Sequence, residues 1–217
     1  MPNLYPAFER QEVVVHSPRH VRTFAELTDE EVAAVARAWI GRRDAAHAEG
    51  FVYVHALVNE GAAAGSSLAH SHSQLVWLRE VPPAVATEDA TAVPTLWLPR
   101  HDLVVARRGG TVAVVHEAGR LPYETLIAAA DARLDLTDAL LLLRDVVVRL
   151  RTVEGPVPWN AWLHDGPHPH IELVPRLAML AGVELGAGIS VNTVAPEDAA
   201  SALRAARGEC HTARSPS

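Results

Sequence analysis

The sequence holds one cysteine in 217 residues, Cys210, in the C-terminal stretch ARGECHTARSPS. One thiol excludes a disulfide framework and a cysteine-rich metal knuckle within a single chain. Long apolar runs are missing as well. The longest are too short or too interrupted to span a bilayer, so the chain reads as soluble with no membrane partner. The amino terminus, MPNLYPAFERQ, has no basic region followed by an apolar one; nothing in it directs export, and a cytoplasmic location is the default. Basic charge is also in short supply. With 19 Lys and Arg against 26 Asp and Glu, the formal net charge is -7. That balance argues against a nucleic-acid surface, which needs clustered cations to displace counterions from phosphates. A small anionic substrate stays open, because a few placed donors suffice for it.

Hydrophobic residues make up 49% and charged residues 21%, a globular balance, and the length suits one core or two half-domains fused across a shared sheet. LTDEEVAAVARAWIGRRDAAHAEG predicts a helix with a capping box. Thr28 is its N-cap, Glu31 reaches back from the third position, Val32, Val35, Ala36 and Trp39 form the apolar stripe, and Gly50 is the stop. Phe51 to Val58 then reads as a strand, NEGAAAGSS as a loop, and Leu68 to Leu78 as the returning strand. After a Pro- and Ala-rich connection, LVVARRGGTVAVVH predicts a hairpin turning at Gly109 and Gly110, and YETLIAAA another strand. A second helix is expected from near Thr137, followed by the strands PWNAWLH and HPHIELVPR; PEDAASALRAAR, with Pro196 at its start, predicts a last helix.

The order of elements repeats. Asn59 precedes His70 and His72, and Asn160 precedes His168 and His170, with Glu172 where Gln74 stood. Two related α+β units side by side, each unable to cover its sheet alone, would give this pattern. The expected organisation is a first half over 1–85, a second over 86–207 and a mobile tail over 208–217.

SSLAHSHSQLVW raises the functional question. In a strand, positions i, i+2 and i+4 share a face, so His70, His72 and Gln74 are expected to project together, with Ser71, Ser73 and Leu75 pointing away. Two histidines there could merely be satisfied by backbone at a sheet edge. Asn59, Gly61, Gly65 and Ser67 in the preceding loop favour a site, since glycines allow close backbone approach and free N–H groups can cradle an anion.

The segment NEGAAAGSSLAHSHSQ, of pattern N-x-G-x-x-x-G-x-S-x-x-H-x-H-x-Q, resembles the active-site segment of the galactose-1-phosphate uridylyltransferases, a branch of the histidine-triad superfamily. The resemblance extends to SPRH (Ser17 to His20), PWNAWLH and HPHIELVPRLAMLAGVELGAGI, and so covers most of the chain. It implies an α+β, histidine-triad-like fold of two related half-domains, with antiparallel strands in one shared sheet packed by helices. It also implies that His72 is the nucleophile that takes the nucleotidyl group and that Gln74 holds the phosphoryl oxygens. Asn59, Gly61, Gly65, Ser66 and Ser67 would meet the phosphates, Asn3 and Tyr5 the base and ribose, and Glu184 the hexose. His168, His170 and Glu172 resemble a strand that carries a structural metal in some relatives; packing and hydrogen bonding are expected of them here. An imidazole can attack phosphorus through one nitrogen while the other keeps its proton and a partner, dividing one exchange into two displacements. Gln74, an uncharged amide where histidine-triad hydrolases usually carry a histidine, points to transfer and away from hydrolysis.

The resemblance also shows what departs. Many relatives bind zinc through a CxxC pair, the histidine of SPxH and the first histidine of HxH; His20 and His70 remain here, but the thiolates do not. Zinc would then need water, His16 or a carboxylate, so the expectation is no cofactor held with certainty. The resemblance begins abruptly at Pro2, which implies either a misassigned start or a truncation that leaves a phosphate pocket short of cations. The function expected is transfer of UMP between a UDP-sugar and a sugar 1-phosphate in a homodimer. The alternatives are a nucleotide-sugar or dinucleoside polyphosphate phosphorylase, or an inactive nucleotide-binding relative.

Overall fold

Eight short segments pair into one antiparallel sheet, and two long helices cover one of its faces. The computed structural model describes residues 1–87, 100–129 and 133–206. The expected tail, 208–217 with Cys210, lies outside the described residues. In chain order the elements are β1 (Arg10–Val15), α1 (Asp29–Ala48), β2 (Tyr53–Glu60), β3 (His72–Leu78), α2 (Pro83–Ala86), β4 (Val104–Arg108), β5 (Thr111–Val115), β6 (Thr125–Ala129), α3 (Leu136–Glu154), β7 (Trp159–His164), β8 (His170–Pro175), α4 (Gly182–Ala187) and α5 (Pro196–Ala205). No helix among the described residues is long and apolar enough to cross a membrane.

The strand order is β1-β3-β2-β7-β8-β6-β5-β4, with every ladder antiparallel. Its first six strands are symmetric about the β2–β7 seam. On one side β1, α1, β2 and β3 follow one another in the chain; on the other β6, α3, β7 and β8 do the same. At the seam Asn59 and Asn160 are register partners. This is an α+β fold in which two related halves share a sheet, and the β4–β5 hairpin extends it beyond β6.

Local chemistry sets the long helices. Thr28 Oγ1 accepts from the Glu31 amide at 3.3 Å while Glu31 Oε2 accepts from the Thr28 amide at 2.8 Å, which satisfies two otherwise orphaned donors at the start of α1. Asp135 caps α3 by accepting from the Asp138 amide at 3.0 Å. Val32, Val35, Ala36 and Trp39 of α1 and a broad leucine and valine stripe of α3 are buried. The two helices touch each other, α1 against β2 and α3 against β4, β5, β6 and β8. Facing them are Val54, Ala56 and Val58, Leu75 and Trp77, Ala161 and Leu163, and Ile171 and Leu173, all in one core. Trp39 Nε1 also donates to the fully buried Ser73 hydroxyl at 2.8 Å.

Period-two geometry places the other residues of these strands on the face away from the helices. That face carries Asn59 of β2, His72 and Gln74 of β3, Asn160 and His164 of β7, and His170 and Glu172 of β8. A sheet with an oily side against helices therefore has a polar side free for chemistry.

Candidate active site

His72 is the first residue of β3 and is only 5% exposed, yet it lines a cleft of about 400 Å³ together with Gly61, Ser66 and Ser67. Its Nδ1 lies 2.8 Å from the carbonyl oxygen of His70. A carbonyl can only accept, so Nδ1 carries a proton, and in the neutral ring the lone pair lies on Nε2. Nε2 takes no partner among the described residues. The ring is thus held in the tautomer that a nucleophile needs.

The cleft wall comes from the end of β2 and the chain that follows it. Asn59 and Glu60 belong to β2, a correction to the loop expected there: the strand runs on because both residues pair with β7. Asn160 Nδ2 donates to Asn59 Oδ1 at 2.7 Å and to the Ala64 carbonyl at 2.8 Å. With its oxygen occupied, the Asn59 amide offers its nitrogen. Gly61 and Gly65, both at φ +87°, bracket a 3-10 turn over Ala62–Ala64. Gly61 lines the cleft and Gly65 does not.

The turn uses some of the donors that were expected to meet phosphate. Ala64 and Ser66 amides bond back to Gly61, and the Gly65 amide to Ala62. The Ser66 hydroxyl donates to the Leu68 carbonyl at 3.0 Å. Amides of Ser67, Leu68 and Ala69 and the Ser67 hydroxyl have no partner among the described residues, so the anion-binding donors fall later in the loop than the glycines suggest.

His70 departs from its expected place. The returning strand starts at His72, not Leu68, and His70 lies in a bend before it. Both of its ring nitrogens face backbone carbonyls, Nε2 that of Arg19 at 2.8 Å and Nδ1 that of Ser71 at 3.1 Å. It therefore does not share the strand face of His72 and Gln74. His20 stands with its ring centroid 6.0 Å from that of His70. Among the described residues no group of three or more His, Cys, Asp or Glu is placed to hold a metal ion. With His70 turned to carbonyls on both sides, a zinc site does not fit these residues. His16 belongs to no such group either: its Nδ1 meets the Ser71 hydroxyl at 2.9 Å, its ring packs edge-on against Phe24, and its Nε2 is buried without a hydrogen-bond partner among the described residues. Burial, then the proximity of His72 and His70, pushes the His16 pKa down to about 3.

Gln74 shares the strand face of His72, two residues on, and its Oε1 accepts from Gln11 Nε2 at 2.6 Å. Asn3, Tyr5 and Glu184 do not come to the cleft of their own chain. Asn3 accepts from the Tyr5 amide at 3.1 Å in a segment running beside β1, and Tyr5 is 89% exposed. Glu184 caps α4 by accepting from the Ala181 amide at 2.9 Å.

Two cleft residues gave no sequence signal. The side chain of Arg22 makes no ion pair among the described residues, leaving a cation beside the cleft. Glu60 is held by the Thr23 hydroxyl at 2.6 Å and the Phe24 amide at 2.7 Å; burial raises its pKa, and those two bonds oppose the rise. It ties the strand end to the segment before α1. In that segment Ser17 and Arg19 both bond Glu31, which is held down to about pKa 2 chiefly by Arg19. The capping residue of α1 thereby steadies the Arg19 carbonyl that meets His70.

The second half repeats the histidine device with different surroundings. His170 Nδ1 donates to the His168 carbonyl at 2.9 Å, as His72 does to that of His70. Here the ring stacks on His164, with centroids 4.4 Å apart, while Glu172 meets His164 at 3.2 Å and pairs with Arg120. These groups bond one another, whereas His72 opens on a cleft.

Sheet order, helix placement and a histidine strand end beside a glycine-bearing turn define a histidine-triad type of α+β protein. Residues 6–83 match the model of the galactose-1-phosphate uridyl transferase N-terminal domain. Over those residues the chain is similar to the N-terminal domain of that family. It is 26% identical to an ADP-glucose phosphorylase of Arabidopsis thaliana over 91% of its own length, and spans 64% of that protein. The structure of a uridylyltransferase superposes with a TM-score of 0.84 at 25% identity, over 95% of this chain and 78% of that one. The crystal structure of an ADP-glucose phosphorylase from Arabidopsis thaliana with bound ADP-glucose gives 0.82 at 25% identity, over 94% and 80%.

Proposed function

We propose that this protein moves a nucleoside monophosphate from a nucleotide sugar to a phosphate-bearing acceptor through a covalent nucleotidyl-His72. The observation that carries this reading is that His72 lines a cleft with unpaired donors while its Nδ1 bonds a carbonyl, which in the neutral ring leaves the lone pair on Nε2. Nε2 attacks the phosphorus that bears the nucleoside; a P–N bond forms, and the P–O bond to the sugar 1-phosphate breaks. That leaving group departs as a phosphate anion and needs no proton, which suits a neutral Gln74 amide where a general acid would otherwise stand. An oxygen of the acceptor phosphate then attacks the same phosphorus, and the imidazole leaves unchanged.

The acceptor divides two readings. Likeness to the uridylyltransferases supports UMP transfer to a sugar 1-phosphate. Likeness to an ADP-glucose phosphorylase along 91% of the chain supports inorganic phosphate as acceptor, with an adenylyl donor. Both use the same histidine. Because Asn3, Tyr5 and Glu184 lie away from their own cleft, the reading includes a homodimer in which they complete the partner's.

Incubation with UDP-glucose or ADP-glucose labelled in the nucleoside-bearing phosphate should leave an acid-labile, base-stable adduct that His72→Ala abolishes. Chasing with inorganic phosphate or with galactose 1-phosphate then identifies the acceptor by which one discharges the label. Tight nucleotide binding without any adduct would defeat the enzymatic reading and leave a binding module.

A further inference from the structure

We infer that Gln11, on the neighbouring strand, is a positioning residue that decides which end of the Gln74 amide meets the transferred phosphoryl group. The inference rests on the reading of His72 and Gln74 just given. An amide side chain has two ends of similar shape and opposite polarity, and rotation about its last bond exchanges them at little cost. Only a neighbour with fixed polarity can choose between them. Gln74 has such a neighbour at the end of a short chain of bonds.

The chain starts at a backbone amide. Ala7 N–H, which can only donate, lies 2.9 Å from Gln11 and thereby marks that end of the side chain as Oε1. The other end of Gln11 is then Nε2, and it donates to Gln74 at 2.6 Å, so the Gln74 atom that it meets is Oε1. Register places Gln11 opposite Val76 and Val13 opposite Gln74, making Gln11 and Gln74 diagonal neighbours on one face of the β1–β3 ladder. Both glutamines are half-buried, so the bond between them is partly shielded from water. With its oxygen taken, Gln74 presents Nε2, which has two donors and no partner among the described residues. Phosphoryl oxygens accept only, so this is the useful orientation, and the reverse would set oxygen against oxygen. The Asn59 amide, in the cleft wall, is oriented in the same way by Asn160, itself fixed by the Ala64 carbonyl.

The test uses the polarity of position 11. In Gln11→Glu the carboxylate still accepts from Ala7 N–H, but its second oxygen also accepts, and Gln74 must turn its nitrogen toward it. Gln11→Met removes the choice without reversing it. Single-turnover labelling of His72 should fall about 100-fold in Gln11→Glu, the scale of losing one donor to a developing oxyanion, and only a few-fold in Gln11→Met. As pH falls toward a carboxyl pKa of about 4.3, the introduced carboxylate regains a proton to donate, so the variant-to-wild-type rate ratio should rise. In a Gln74→Met background the Gln11→Glu change should add little.

Equal losses in the Gln11→Glu and Gln11→Met variants, or a Gln11→Glu penalty that persists in the Gln74→Met background, would overturn the inference and leave packing or plain charge repulsion. Should Gln11→Glu not fold, unimpaired labelling in Gln11→Met is the overturning result. Absence of any adduct in the wild type would remove the reading of His72 and this inference with it, whereas normal wild-type labelling with unimpaired Gln11→Glu removes the inference alone.

Discussion

Asn160 of β7 donates through Nδ2 to Oδ1 of Asn59 on β2 at 2.7 Å, across the seam where the two halves of the sheet meet. The same nitrogen reaches the Ala64 carbonyl at 2.8 Å, so one side chain of the second half orders both a strand end and the turn that wall the cleft of the first. The halves are therefore joined by side-chain bonds at the cleft wall as well as by ladder bonds. The repeated asparagine looked in the sequence like a trace of duplication, and in the fold it is the second half's contribution to the His72 cleft.

Asn160→Asp puts this to the test. A carboxylate would face two acceptors, Asn59 Oδ1 and the Ala64 oxygen, and Asn59 would have to turn its nitrogen away from the cleft. Labelling of His72 is expected to slow by about 10- to 100-fold, within the range found for loss of a transition-state donor, with about 1–3 kcal/mol of stability lost to broken half-buried bonds. Stopped-quench labelling and urea unfolding measure the two effects separately, and an unchanged labelling rate would remove Asn59 from the cleft's chemistry.

Arg22 supplies the cation that the sequence left unaccounted for. It stands at the cleft without a carboxylate partner among the described residues, where a diphosphate would find it. Arg22→Ala should raise KM for the nucleotide sugar by about tenfold, the scale of one charge-assisted hydrogen bond, while leaving kcat nearly unchanged. Added salt should weaken wild-type binding more than that of the variant. An equal salt response in both proteins would place the guanidinium outside the phosphate field.

His16 gives the folded state a defined weakness in acid. Its ring is buried against Phe24 and Ser71 and lies near His72 and His70, and its pKa falls from 6.5 to about 3, chiefly through burial. The unfolded chain takes up this proton near 6.5, and the folded chain does not until about 3. Stability from this group is therefore complete above the higher value and drains away as pH falls between the two. The melting temperature should decline between about pH 7 and 4.5, and His16→Leu should decline less steeply over the same window. Parallel curves for the two proteins would assign the acid sensitivity elsewhere.

Much of this architecture was legible because its causes are local. The capping box at Thr28 and Glu31, the hairpin at Gly109 and Gly110, and Pro196 at the start of α5 all act within a few residues of themselves. The start of β3 was not, because partners distant in sequence decide it. Ser71 N–H bonds Val21, the His70 ring bonds Arg19, 51 residues away, and β1 ends its pairing at His72. Alternation continued through Leu68 to Ser71, but the ladder did not. Spacing and resemblance together singled out His72, Gln74 and Asn59, while Gln11, Arg22 and Glu60 left no trace, since their roles exist only between segments that the fold brings together.

Gly61 separates the two reasons for which a glycine can be required. Its φ of +87° disfavours any side chain, and a Cβ placed there would stand 2.9 Å from Cβ of Pro158, in the second half. Gly65 has the same φ, but its nearest neighbour to such a Cβ is Asn59 Nδ2 at 3.9 Å, an ordinary contact. Gly65→Ala should therefore cost about 1 kcal/mol, from backbone conformation alone. Gly61→Ala meets in addition a ψ of 150°, against 13° at Gly65, in a backbone region essentially reserved for glycine, together with overpacking against a proline ring that cannot yield, and should cost about 2–4 kcal/mol. It should also raise KM for the nucleotide sugar, because relief of the clash shifts the turn that lines the cleft. Urea unfolding of the two variants measures the two costs, and equal destabilisation would mean that neither the close approach to Pro158 nor the ψ of 150° at Gly61 adds to the cost of the positive φ.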